Sequence, residues 1–253
     1  MSIARDWDGT TYDRISAPME EMGIAVLDRL ELCGDETVID AGCGSGRITE
    51  ELLRRLPRGR VIGVDGSASM VAAARERLGE RDDLELLVAD LTELDLGGVR
   101  ADAILSTATF HWIADHATLF ARLRGALRDG GRLVAQCGGE GNIAAVHEAA
   151  ARAGAEDPFA EHFATWVGPW RFAGPGETED LLRAAGFRTA RAWLGEWPVT
   201  PEDPATWLRT IVLGSHLERL PEELREPFVQ AVLARLPRPV VIPYVRLNLD
   251  ATA

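Results

Sequence analysis

A chain of 253 residues, 46% of them hydrophobic, is long enough to bury a sizeable core as one α/β domain or a domain with a modest insertion. Its net charge of -13 repels nucleic-acid phosphates and no basic cluster offsets it, so a nucleic-acid partner is not expected. Every one of its 27 basic residues is arginine, which excludes Schiff-base lysine chemistry and the P-loop lysine.

The opening residues, MSIARDWDGT, lack the apolar core of a signal peptide, and no apolar run approaches the roughly 20 residues that span a bilayer. A soluble, unprocessed, cytoplasmic protein with no membrane partner is expected. Cys33, Cys43 and Cys137 are scattered without C-x-x-C spacing, and His111 and His116 lie five apart, the wrong spacing for one helix face. Neither a disulfide framework nor a metal site is predicted.

Val38 and Ile39 read as a buried strand, and Ile48, Leu52, Leu53 and Leu56 recur at helical spacing, so TVIDAGCGSGRITE is a strand, a glycine turn and a helix. The pattern then repeats. GRVIGVD is a strand ending at Asp65, and SASMVAAARERLG is a helix capped by Ser67. LELLVAD is a strand ending at Asp90; ADAILSTATF is a strand running out near Thr107; DHATLFARLRGAL is a helix and GGRLVAQCG a fifth strand. Strands alternating with helices argue a parallel, doubly wound sheet with helices on both faces.

Beyond residue 140 the rhythm loosens. NIAAVHEAAARAG predicts a helix, residues 155–176 have no clean period, TEDLLRAAGF is helical, and RTARAWLGEWPV alternates like a strand. Residues 200–237 hold two further helices, PATWLRTIVLGSHLERL and PEELREPFVQAVLARL, before the last strand, VVIPYVRLNLDAT. The segments 155–176 and 200–237 are expected to be lid or substrate-pocket insertions over the sheet's carboxyl edge.

In open α/β sheets ligands sit outside the carboxyl ends of the strands, and Asp40, Asp65 and Asp90 each fall at such an end. Gly42, Gly44 and Gly46 permit backbone angles that other residues resist and clear the way to the peptide groups. The next helix aims free N–H groups at the same place. The spacing is G-x-G-x-G, not the G-x-G-x-x-G of dinucleotide-binding folds. Asp65, nineteen residues past Gly46, suits a two-oxygen grip on ribose hydroxyls. Asp40 and Asp90 have an alternative role as turn caps.

Taken in order, VIDAGCGSG, GVDGSASM, LLVADL and STATFHW resemble the successive motifs of the class I S-adenosylmethionine-dependent methyltransferases. DWDGTTYDRISAPM and FHWIADHATLFARLRGALRDGGRLVAQ narrow the resemblance to the trans-aconitate methyltransferase-like group. This implies one class I domain over 1–253, a Rossmann-like seven-stranded mostly parallel sheet with helices on both faces and a small helical and aromatic lid. The cofactor implied is S-adenosyl-L-methionine. Its methionine part would lie on the glycine loop with the amino group near Asp40, its ribose on Asp65 beside Gly66, its adenine on Asp90 and Leu91, with Thr107 adjoining. Residues 1–30, through Trp7 and Tyr12, would cover it. The group carries glutamine where this chain has His111.

His111, after the fourth strand, is the candidate catalytic residue, as a general base or a hydrogen-bond donor. Trp112, Trp166, Trp170 and Arg171 are candidates for a small-molecule acceptor pocket, Arg171 as the cation that would orient a carboxylate. The expected reaction is O-methylation of a carboxylic acid, with N- or C-methylation of a secondary metabolite as the alternative. A non-catalytic cofactor-binding subunit and an NAD-dependent oxidoreductase stand further off.

Overall fold

The computed structural model describes residues 17–253. Its elements, in chain order, are α1 Ala17–Leu27, β1 Thr37–Ala41, α2 Arg47–Arg55, β2 Arg60–Asp65, α3 Ala68–Leu78, β3 Leu84–Val88, β4 Ala101–Thr107 and a 3-10 turn at Phe110–Trp112. There follow α4 His116–Ala126, β5 Leu127–Gly138, α5 Ala144–Gly154, α6 Ala160–Phe163, α7 Pro175–Ala184 and β6 Thr189–Val199. The chain closes with α8 Pro204–Trp207, a π turn at Leu208–Val212, α9 Gly214–Leu217, α10 Glu222–Leu233 and β7 Ile242–Thr252.

The strands form one seven-stranded sheet in the order β3-β2-β1-β4-β5-β7-β6. The β1–β2, β2–β3, β1–β4 and β4–β5 pairs are parallel, and β7 runs antiparallel to β5. The chain winds outward from β1 to β3 and then crosses to β4 on the other side of β1, so the switch point lies between β1 and β4.

Successive residues of the inner strands serve opposite faces. Val38, Val61, Leu105 and Val134 pack with Val26, Leu27, Leu52 and Leu56 of α1, α2 and their flanks. Ile39, Ile62, Ile104 and Leu133 pack on the other face with Leu119, Phe120 and Leu123 of α4. A strand covered on both sides needs apolar residues throughout, which is why these segments read as continuous apolar runs. Ser67 accepts from Met70 N at 3.3 Å, the predicted cap of α3.

Two elements depart from the sequence reading. β5 opens at Leu127, ahead of the Gly130 expected, because Ala101 pairs with Leu127 before the register shifts, and Gly130 at φ +80° bends the strand. The helix predicted over 204–220 is interrupted by the π turn, whose five-residue spacing keeps Trp207 with Val212 and Leu208 with Leu213 on the buried side.

The chain divides into two compact units. The first comprises the described part of 1–140 with 171–195 and 246–253; the second comprises 141–170 and 196–245. The segment 200–237 lies wholly in the second unit, while 155–176 is shared, ending in the first from Arg171. Within the second unit His216 sits among Trp166, Trp170 and Phe228 at ring-centroid distances of 4.6, 5.4 and 5.8 Å. Burial pushes its pKa down to about 3, so the imidazole is a neutral packing group. Among the described residues no helix is long and apolar enough to cross a membrane, and no cluster of metal-ligand residues occurs.

Candidate active site

The turn between β1 and α2 places Gly42, Gly44 and Gly46 at φ +85°, +52° and +83°, all left-handed. Each glycine is required for a different reason. A Cβ on Gly42 would stand 2.0 Å from Thr109 Oγ1, and one on Gly46 would stand 3.0 Å from Leu78 and 3.2 Å from Ala74. At Gly44 a Cβ would meet nothing within 4 Å, because that residue faces open space. The loop is anchored to the next strand by Gly42 N and Cys43 N donating to Val64 O at 2.7 and 3.1 Å. Burial raises the Cys43 thiol far above its ordinary range, which makes it a filler rather than a nucleophile.

Asp65 ties this loop down. Its Oδ2 accepts from Gly44 N at 2.9 Å and its Oδ1 from Ser67 N at 2.8 Å. Burial raises its pKa and these two N–H donors oppose the rise. Each oxygen keeps a further lone pair for a ligand hydroxyl.

Asp40 is 1% exposed. Thr49 Oγ1 donates to its Oδ2 at 2.7 Å, while Oδ1 has no partner among the described residues. Burial lifts its pKa to about 6, against the Thr49 bond, with the Asp65 charge adding to the rise. A buried carboxylate oxygen left without a donor is costly, and a cation or an N–H group of a ligand would satisfy it.

Asp40, Gly42, Gly44 and Thr107 line one open cleft. Ala108, a non-glycine residue at φ +55°, also borders it. Such a strained position at a strand end marks functional sites more often than it marks packing. Gly66 is exposed at the β2–α3 turn, Leu91 is buried in the core, and Asp90 is exposed with Oδ1 accepting from Thr92 N and Oγ1 at 2.8 and 2.7 Å. Asp90 thus caps a turn in this state. Trp7 and Tyr12 lie outside the described residues.

His111 is 8% exposed, with Phe172 stacked on it at 5.9 Å and Trp112 tilted against it at 5.1 Å. Its Nδ1 accepts from Gly138 N at 3.3 Å, so the ring proton sits on Nε2. Burial first, then the positive Arg246, hold it well below the usual histidine range. As placed, the ring is a neutral donor. Arg171 donates to Ala114 O and pairs with Glu177, each at 2.5 Å, and its backbone N–H donates to His111 O at 2.9 Å. It braces the 111–114 turn. Trp166 and Trp170 belong to the aromatic cluster of the second unit.

The family described as methyltransferase domain matches residues 39–135. A trans-aconitate 2-methyltransferase of Afipia carboxidovorans is 31% identical over 91% of this chain and 90% of its own. One from Methylobacterium nodulans is 30% identical over 97% and 98%. The chain belongs to the class I methyltransferases, in the trans-aconitate methyltransferase-like group. A relative from Acidovorax ebreus reaches 36% identity, but there the match spans 52% of this chain and about half, 49%, of that protein. The solved fold of a Haemonchus contortus phosphoethanolamine N-methyltransferase, in complex with S-adenosyl-L-methionine, superposes with a TM-score of 0.62 at 18% identity, covering 96% of this chain and 56% of that one. YcgJ from Bacillus subtilis gives 0.63 at 16%, covering 91% and 97%.

For this methyltransferase, sequence reasoning missed two residues that line the cleft. Gln136 lies two residues before the end of β5, and Arg246 on β7 is 4% exposed. Arg246 Nε donates to Gln136 Oε1 at 3.3 Å. No motif flags either one. The parallel register of β4 and β5 sets Gln136 beside Thr107 at the cleft, and the pairing of β7 with β5 brings Arg246 there.

Proposed function

We propose that this enzyme transfers a methyl group from S-adenosyl-L-methionine to a carboxylate oxygen of a small acid. The observation that carries the cofactor half is the cleft itself, lined by Gly44, which faces open space, and by Asp40, whose buried Oδ1 has no partner among the described residues. The carboxylic acid half is supported by the trans-aconitate 2-methyltransferases that match nearly end to end. Asp40 would hold the cofactor's ammonium, the glycine loop its amino-acid part, Asp65 its ribose hydroxyls, and Asp90 with Leu91 its adenine.

When bound, the cofactor supplies a methyl group on a sulfonium, so that an O–C bond forms as the C–S bond breaks, leaving an ester and a neutral thioether with no proton to move. A carboxylate with a reference pKa of about 4 is already ionised at neutral pH, and the protein needs only to align and partly desolvate it. His111 fits that requirement because its Nδ1 lone pair is engaged and it offers an Nε2–H donor. Methylation of a carbon acid or of a protonated amine needs a base to remove a proton, a role that the buried neutral ring, with its Nδ1 lone pair engaged, does not favour.

The test is transfer of label from methyl-labelled cofactor to a panel of acids, scored as methyl ester by its release as methanol in alkali. Label entering amines or carbon positions only, or no acid accepting it, overturns the reading. At saturating cofactor the rate is expected to stay flat between pH 6 and 8, since burial holds the His111 pKa well below its ordinary value. A rise across it that vanishes in His111→Ala would restore the base.

A further expectation concerns Asp40. Its raised pKa means that it protonates as pH falls through about 6, and a neutral carboxyl no longer attracts an ammonium. S-adenosylhomocysteine affinity, measured by calorimetry, should be level above pH 7 and weaken by up to about tenfold per unit below 6. In Asp40→Asn the profile should be flat and weak throughout.

A further inference from the structure

Between β1 and β4 the sheet parts, and each strand stays with its outer partner. On one side Ala41 still pairs with Val64 of β2, and Gly42 N and Cys43 N both donate to Val64 O. On the other, Thr107 still pairs with Gln136 of β5, and Ala108 N donates to Gln136 O at 2.7 Å. The β1–β4 ladder itself stops at Asp40 opposite Leu105. Beyond this point lies the crevice in which Gly42, Gly44, Thr107 and Ala108 line the cleft.

Two hydroxyls bridge the opening. Where the next pairing would set Ser106 opposite Ala41, Ser106 Oγ instead donates to Ala41 O at 2.6 Å, the two residues being 1% and 0% exposed. Thr109 Oγ1 donates to Thr107 O at 3.0 Å and stands 3.4 Å from Gly42 O, within reach of the same proton. Its side chain also rests on the Gly42 α-carbon, where a Cβ would come within 2.0 Å of Oγ1. Ala108, at φ +55°, is the turn between these contacts. Paired backbones lie about 4.8 Å apart, a spacing that would close the crevice. A side-chain hydroxyl reaches farther, so the strands separate while the buried Ala41 carbonyl keeps a donor. The glycine loop is thus held from the β2 side by Val64 O and Asp65, and from the β4 side by Ser106 and Thr109.

Building on the reading that this loop receives the cofactor's amino-acid end, we propose that Ser106 and Thr109 are positioning residues whose hydroxyls clasp the loop to β4 and preset it for that end of S-adenosyl-L-methionine. Without the clasp the binding-ready loop becomes a minor state, and affinity falls by the fraction of time that state is occupied. The nucleoside end is assigned to β2 and β3, where Asp65 keeps Ser67 N as a second anchor, so it depends little on the clasp.

The test measures two affinities by calorimetry, for S-adenosylhomocysteine and for 5′-methylthioadenosine, which has the same nucleoside and sulfur without the amino-acid end. Ser106→Ala and Thr109→Val should each weaken S-adenosylhomocysteine on the order of 10-fold, and the double variant on the order of 100-fold, with 5′-methylthioadenosine held within about twofold throughout. Thr109→Ser keeps the hydroxyl and should bind as the native enzyme does. The assignment is overturned if both ligands weaken alike, as a purely structural role would have it, if neither weakens, or if Thr109→Ser loses as much as Thr109→Val. Should Ser106→Ala fail to fold by thermal melting, Thr109→Val at its half-buried position decides by the same criteria. If the native enzyme holds S-adenosylhomocysteine no more tightly than 5′-methylthioadenosine, the reading of the loop fails and the clasp with it; if it does hold it more tightly and the variants keep that preference, only the clasp falls.

Discussion

Asp65→Ala is expected to weaken S-adenosylhomocysteine binding by at least about 100-fold while the protein still folds. The carboxylate serves two purposes through the same two atoms. It already accepts Gly44 N and Ser67 N at 2.9 and 2.8 Å, which holds the loop against the end of β2, and its remaining lone pairs face the position assigned to the ribose. Hydrogen bonds to a charged group contribute about 1.5–3 kcal/mol each, so losing two toward the ligand costs about 3–6 kcal/mol of affinity, before any loosening of the loop. Calorimetry reads the affinity and a melting curve checks the fold. Undiminished affinity in a folded Asp65→Ala protein would remove the basis for placing the ribose there.

Gly42→Ala and Gly44→Ala should fail in opposite ways. At Gly42 the new methyl meets Thr109 Oγ1 at 2.0 Å and Cγ2 at 2.4 Å, and the residue must also hold φ at +85°. Overpacking and a left-handed alanine together cost about 3–5 kcal/mol, which lowers Tm by about 6–20 °C in a protein of this size. Thr109→Ala in the same chain should return part of that loss, because it removes the two closest atoms. At Gly44 the methyl has no neighbour within 4 Å and φ is +52°, inside the small left-handed region open to other residues. Gly44→Ala should therefore keep Tm within a few degrees but lose most of its cofactor affinity, because the methyl occupies the cleft. A Gly44→Ala protein that melts as early as Gly42→Ala would show that the loop's demand is purely structural.

The glycine turn was legible because it is local. Strand, turn and helix occupy the nineteen consecutive residues Thr37–Arg55, and Asp65 ends the next strand, so periodicity and spacing suffice to place them together. The Ser67 cap was legible for the same reason, its donor lying three residues away. The glycine-loop side of the cleft and the alternation that builds the sheet were thus written in short stretches of chain. The protonation of His111 was not legible, since the neutral Nε2–H form depends on a backbone N–H 27 residues on and on burial. Arg171 looked available as an acceptor cation, yet in the folded chain it is committed to Ala114 and Glu177.

Arg246 marks the boundary between the two kinds of information. In β7 it alternates with Asn248 and Asp250 opposite Leu247 and Leu249, a pattern that by period alone describes a strand with one wet face. The fold instead inserts β7 between β5 and β6 and brings that face against Gln136 and Arg29, more than a hundred residues away in sequence. The parallel α/β architecture and the family could be read from the chain alone, because each depends on contacts between near neighbours. Which polar residues are dry and that Arg246 comes to the cleft follow from tertiary structure alone, because burial depends on strand order across the described chain.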